Sequence, residues 1–283
     1  MPPLPKNIVW LVSYPKSGNT WIRILLSNYL SDEDKAVDIN SIQTSGIASS
    51  RAILEKYIPF LSSDLTFSEI DNLRPEVYKK LSEESDGIKF IKTHDAFTKN
   101  KNQQDIFPIS ATRAIVHIVR NPLDVAVSFA HHSNIPVQKS IERLNNHSAK
   151  LANSFSRLNN QLRQKLLSWS EHYYSWKAVD TPYILVRYED LIADTEAAFR
   201  KIIVFLYNDV DEVKLKQAVK YSSFELLKEQ EENTSFKEKP IFAESFFRKG
   251  IAGSWKEEMT LEQSNTIISE HKKAMIELGY LKL

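Results

Sequence analysis

The chain has 283 residues, 37 Lys and Arg against 36 Asp and Glu, a formal net charge of +1, 42% hydrophobic residues and no cysteine. That length can bury a sizeable core as one α/β domain, and the balanced charge argues against a surface that coats nucleic acid. The lack of cysteine excludes a disulfide framework, a zinc–thiolate centre and a thiol nucleophile. No apolar run approaches the ~20 residues that span a bilayer, and the opening MPPLPKN lacks a signal-peptide pattern.

The first predicted element is a buried strand over 8–12, Ile8-Val9-Trp10-Leu11-Val12. A helix over 20–30 follows, with Trp21, Ile22, Leu25, Leu26 and Tyr29 on its inward face. Between them, SYPKSGNTW at 13–21 puts Lys16, Ser17, Gly18, Asn19 and Thr20 in a strand-to-helix turn. Backbone N–H groups and a lysine at a helix N-terminus favour a phosphate-like anion. The order is not that of a Walker A loop, because Lys16 precedes Gly18. On these residues alone, a plain turn with a surface lysine stays open.

Residues 31–86 are polar with aromatic spots at Tyr57, Phe60, Phe67 and Tyr78, and read as loops or short helices. A strand over 88–92 ends in Lys92-Thr93-His94, at the edge where open α/β sheets gather ligand-binding groups. His94 suits a general base, or a local hydrogen bond only. A strand over 114–119 carries His117, which mid-strand reads as a satisfied core histidine. Arg120 follows it, and Asn121-Pro122 opens a helix over 122–131. Arg120 and Ser128 are spaced to meet one phosphate, or Arg120 pairs with Asp124.

Residues 131–154 are polar, and a long helix is predicted near 155–178. A strand over 183–187 runs up to Tyr188, and helices follow over 195–207, 213–221 and 261–278. Residues 229–245 are charged and read as a loop or short helix, after which Arg248-Lys249-Gly250 joins two cations to a flexible backbone. Strands alternating with helices predict a central parallel sheet with helices on both faces.

Four segments together resemble the cytosolic family of sulfotransferases, which use 3′-phosphoadenosine 5′-phosphosulfate (PAPS). They are SYPKSGNTW, IKFIKTHDAF, AIVHIVRNPLDVAVS and FFRKGIAGSWKEEMT, in the family's order from 13 to 260. The resemblance implies one P-loop-like sulfotransferase domain over 1–283. It implies a soluble cytoplasmic enzyme moving a sulfuryl group from PAPS to a hydroxyl or amine of a small molecule. The product 3′,5′-adenosine bisphosphate (PAP) remains, and no metal, nucleic acid or membrane takes part.

By the same resemblance His94 is the general base, with Lys16, Lys92 and Ser128 in the reaction. Lys16, Ser17, Gly18, Asn19 and Thr20 hold the 5′-phosphosulfate. Arg120, Ser128, Arg248, Lys249 and Gly250 hold the 3′-phosphate. Trp21, Tyr188, Ser222, Phe224 and Phe247 complete the nucleotide site.

Ser254 stands where the family usually has Asp, and Asn19 where many members have Thr. Residues 256–265 resemble the family's dimerisation motif, with Asn265 replacing its Glu, so a homodimer stays open. The same stretch also reads as a helix start, with Thr260 as N-cap and Gln263 closing a capping box. Rival readings are a small-molecule or nucleotide kinase, against which the lysine order speaks, and a non-catalytic nucleotide-binding module, which would not need His94. The acceptor is not written in the motifs.

Overall fold

The computed structural model describes residues 6–44, 46–154, 156–241 and 243–282, so the reading of the N-terminal five residues lies outside the described residues. In chain order the elements are β1 (Ile8–Ser13), α1 (Asn19–Leu30), α2 (Arg51–Glu55), α3 (Phe67–Glu83), β2 (Lys89–Thr93), β3 (Thr112–Val119), α4 (Pro122–Ser133) and α5 (Val137–Leu144). Then come β4 (Lys150–Leu151), β5 (Gln164–Lys165), α6 (Trp169–Lys177), β6 (Tyr183–Arg187), α7 (Tyr188–Ala193) and α8 (Thr195–Tyr207). The chain closes with α9 (Glu212–Tyr221), α10 (Phe224–Thr234), α11 (Trp255–Glu258) and α12 (Leu261–Glu277).

The principal sheet has the order β2-β1-β3-β6. The fold is α/β, with a central parallel sheet flanked by helices. β1 and β2 pair in parallel, Ile8 opposite Lys89 and Val12 opposite Thr93. Every residue of β1 is buried, which explains its continuous apolar run. Among the described residues no helix is long and apolar enough to cross a membrane. By its contacts the chain forms two compact units, Met1–Tyr14 with Ser45–His117 and Asn146–Tyr183, and Pro15–Thr44 with Ile118–Asn145 and Ile184–Leu283.

The first unit is organised by aromatic rings. Trp10 meets Tyr78 and Phe107 edge-on at 5.2 and 5.0 Å, and Phe107 meets Trp176 at 5.0 Å. His117 is a core histidine as expected, with Nδ1 2.9 Å from the Tyr183 hydroxyl. Burial holds its pKa well below the usual value, and His172 adds to the effect. The stretch 31–86 contains a 17-residue helix, α3, opened by a Thr66–Glu69 capping box. Its buried face mixes Ile70, Val77, Tyr78 and Leu81 with Asp71 and Arg74, and Pro75 sits inside it. Those charges and that proline hide the helical period.

The helix predicted near 155–178 is shorter. α6 begins at Trp169, behind a Ser168–Glu171 capping box. The described residues before it are irregular: β5 pairs with β4, Leu162 N–H donates to Ser49 O, and Leu167 adopts φ +61°. Leu162 and Leu166 are buried there without being helical, because their backbone is paired to other segments.

In the second unit, Asn121 caps α4 through Leu123 N–H, with Pro122 at its first position. α10 runs into the 229–245 stretch, read as a loop or short helix, and buries Leu227 and Glu231. α12 starts at the capping box of Thr260 and Gln263, the helix-start reading of 256–265.

Arg74 is buried against Asp95, with contacts of 2.8 and 3.2 Å to its two oxygens. Removing one partner strands the other charge in the interior. Arg74→Ala is expected to cost about 3–5 kcal/mol in urea unfolding. A loss under about 1 kcal/mol would show that water or Lys165 replaces the guanidinium.

Candidate active site

In the second unit, the turn before α1 has two residues in the left-handed region, Lys16 at φ +70° and Gly18 at φ +100°. Gly18 is the N-cap of α1 and offers no capping side chain. The Ser17 hydroxyl is buried and has no hydrogen-bond partner among the described residues. Asn19 and Thr20 are buried in the first helical turn. A Cβ at Gly18 would stand 2.6 Å from the Tyr188 ring, so only glycine lets the ring close on the turn. Gly250, at φ +63°, stands in the same relation to Phe224, whose ring a Cβ would strike.

Arg120 ties the two loops together. Its terminal nitrogens donate to Lys16 O at 3.2 Å and Ile251 O at 3.3 Å, and its guanidinium lies 4.4 Å from the Tyr188 ring centroid. Its Nε is buried without a partner among the described residues. Asp124, open as an ion-pair partner for Arg120, instead accepts from Gly253 N–H (2.7 Å), Trp255 N–H (3.2 Å) and the Ser254 hydroxyl (3.3 Å). Ser254 thus acts as a local prop, and a second carboxylate there would face Asp124. Ser128 is half-buried on the second turn of α4.

Trp21 donates its indole N–H to Ser222 O at 2.9 Å and meets Tyr188 edge-on at 5.9 Å. The Ser222 hydroxyl accepts from Asn28 Nδ2 at 3.0 Å, which ties it to α1. Phe247 is buried in an apolar cluster with Ile24, Ile39, Leu227 and Phe236, against which Trp21, Phe224 and Phe246 pack. Lys16 Nζ stands 3.2 Å from His132 Nδ1 and 4.5 Å from the Phe246 ring centroid.

Arg248 and Lys249 converge on Glu258 Oε1 at 2.9 and 2.8 Å, and His131 reaches its other oxygen at 2.5 Å. Burial alone would push the Glu258 carboxyl up, but hydrogen bonds from Lys249, His131 and Arg248 hold it down at about 2.

In the first unit, His94 follows β2, and its Nδ1 lies 2.8 Å from Ser13 O. A carbonyl only accepts, so Nδ1 carries the proton and the neutral ring's lone pair is on Nε2. The Ser13 hydroxyl lies 3.2 Å from the same nitrogen. The backbone around His94 is fixed from α6: His172 donates to His94 O at 3.2 Å, and Trp176 to Asp95 O at 2.8 Å. Burial lowers the His172 pKa to about 4, against opposing hydrogen bonds to the His94 and Asp95 carbonyls. Lys92 is paired through its backbone to 46–48, its carbonyl accepting from Ala48 N–H at 2.8 Å.

His132, Glu258 and Ser13 escaped the sequence reading. Two had a usable signal. His132 is four residues past Ser128, hence on the same helix face. Ser13 is the next parallel partner after Val12 and Thr93, hence opposite His94.

A profile of the sulfotransferase domain matches residues 6–279, and the chain belongs to the sulfotransferase family. It is 27% identical to sulfotransferase 1B1 of Mus musculus, over 96% of this chain and 83% of that protein. It is also 27% identical to amine sulfotransferase of Oryctolagus cuniculus, over 90% of this chain and 76% of that protein. Mouse sulfotransferase SULT7A1 complexed with PAP shares the fold, with a TM-score of 0.62 at 20% identity over 98% of this chain and 88% of that one. Retinol dehydratase in complex with androsterone and inactive cofactor PAP gives 0.63 at 19% identity, over 96% and 82%. Membership in the family makes sulfuryl transfer the reaction class.

The Glu258 cluster has a definite pH signature. A carboxyl at about 2 in the fold, against an ordinary 4.5, stabilises the folded state above pH 4.5 and loses that contribution as pH falls towards 2. The stability difference between wild type and Glu258→Gln is expected to hold near neutrality and to shrink across that window in acid titrations of unfolding. A difference independent of pH would mean the carboxylate's charge is not what the cluster uses.

Proposed function

We propose that this chain, acting over 1–283 as one sulfotransferase domain, moves a sulfuryl group from PAPS to a hydroxyl or amine of a small-molecule acceptor. The observation that carries the reading is the buried Ser17 hydroxyl next to Lys16, unpartnered among the described residues, at the start of a helix with no capping side chain. An unmet buried hydroxyl costs about 1–3 kcal/mol. An anionic oxygen at that turn would satisfy it and gain from the helix N-terminus. PAP, bound in the two solved structures named above, fits those demands with one phosphate.

Lys16, Ser17, Gly18, Asn19 and Thr20 would hold the 5′ end of the donor. Arg120, Ser128, Arg248, Lys249 and Gly250 would hold the 3′-phosphate, with Arg120 keeping the two loops in register. Trp21, Tyr188 and Phe224 would bound the adenine, with Ser222 and Phe247 behind them. The bound donor supplies the sulfuryl group, and its transfer leaves negative charge on the 5′-phosphate. His94, with Nδ1–H held on Ser13 O, has Nε2 free of its proton to receive the acceptor's. Lys16 meets the charge on the departing phosphate, and Lys92 the sulfuryl oxygens.

Thermal unfolding with PAP, and separately with ATP and Mg²⁺, tests the donor class. A ligand bound only to the folded state raises Tm by mass action. PAP is expected to raise it and ATP is not; the reverse would overturn the reading in favour of a kinase. Against PAPS and a panel of alcohols and amines, His94→Ala is expected to lose about 10²–10⁴-fold in turnover while binding PAP normally. Near-normal turnover would remove His94 as the base. Arg120→Ala is expected to weaken PAP binding about tenfold or more, as a charge-assisted phosphate contact is lost. Unchanged affinity would remove Arg120 from the 3′-phosphate.

A further inference from the structure

His132 lies one helical turn beyond Ser128 on α4, so the two share a face. Its Nδ1 stands 3.2 Å from Lys16 Nζ. An ammonium has donors only, so Nδ1 is the acceptor and the neutral ring keeps its proton on Nε2. The Phe246 ring lies 4.5 Å from the same Nζ and meets the His132 ring edge-on at 6.2 Å. Phe246 is itself anchored: its N–H donates to Glu231 at 2.6 Å, and its ring packs on Phe236 and Phe247 at 4.7 and 5.2 Å. The Lys16 backbone is fixed as well, left-handed and held through its carbonyl by Arg120.

A lone pair and a π face therefore converge on one ammonium. Neither is anionic, so both orient the charge without cancelling it. A carboxylate in the place of His132 would orient Lys16 and neutralise it together. We propose that His132 is a positioning residue for Lys16. Its imidazole Nδ1 and the Phe246 ring place the ammonium where charge develops on the leaving phosphate. The inference rests on the reading of Lys16 given above. A lysine stem has many rotamers, and an ammonium already held in place needs less rearrangement as the charge appears.

The test compares turnover and PAP affinity for the wild type, His132→Ala, His132→Asn, Lys16→Ala and the Lys16→Ala/His132→Ala double variant. His132→Ala is expected to lower kcat about tenfold, with PAP affinity within about twofold, because the contact orients rather than binds. His132→Asn, whose Oδ1 accepts from near the Nδ1 position, is expected to recover kcat to within about threefold of wild type. In the Lys16→Ala background, His132→Ala should add nothing, which a packing role would not predict. Wild-type kcat in His132→Ala overturns the proposal. So does a His132→Asn loss as large as that of His132→Ala. Normal turnover in Lys16→Ala fails the reading of Lys16 and the proposal with it. An inactive Lys16→Ala beside a normal His132→Ala fails the proposal alone.

Discussion

The left-handed backbone at Lys16 and Gly18 is the constraint on which the second unit's site depends. A non-glycine residue in that region is strained by roughly 1–2 kcal/mol. The surroundings hold it there: Arg120 takes the Lys16 carbonyl, and Tyr188 closes over Gly18, where no side chain fits. Such a turn aims successive backbone N–H groups to one side, the geometry of an anion-binding nest. Because the Arg120 guanidinium also lies on Tyr188 and reaches Ile251 O, the turn, the ring and the 250–253 loop are held through one side chain.

The first unit solves a different problem, the fixing of one imidazole. Parallel pairing of β1 with β2 brings Ser13 O to His94 Nδ1, so the sheet's register chooses the tautomer. α6 then clamps the backbone on either side of the ring through His172 and Trp176. The depressed pKa of His172 fits this task. A buried neutral ring donates to a carbonyl without placing a positive charge beside His94.

What was legible in the sequence was whatever the backbone forces locally. The strand at 8–13, the Asn121-Pro122 helix start and the Thr260 capping box are written in adjacent residues. α3 was not legible, because its buried face carries Arg74 and Asp71 among the apolar residues, a pattern that resolves only when Asp95 arrives from another segment. The 156–167 stretch misled for the opposite reason. Leu162 and Leu166 have helical spacing, but their backbone partners lie at Ser49 and Ala149. Of the site, the motif residues were legible one by one. Their mutual partners were not: His132 meets Lys16 from a segment 116 residues away, and Glu258, though only 10 and 9 residues beyond Arg248 and Lys249, reaches them through an irregular loop whose path no periodicity announces.

The acids of the second unit divide its cations into two kinds. Asp124 and Glu231 spend their oxygens mainly on backbone: Asp124 on Gly253 and Trp255, Glu231 on Phe246 and Phe247. They set loop shape, with Glu231 also 3.9 Å from the Lys239 ammonium. Glu258 does the reverse, taking Arg248, Lys249 and His131 directly. Arg120 is held by neutral carbonyls and an aromatic face, and keeps a buried Nε without a partner among the described residues. Lys16 is likewise flanked by the His132 imidazole and the Phe246 ring. Under the proposed function, Arg248 and Lys249 would serve the donor's phosphate only to the extent that Glu258 yields them.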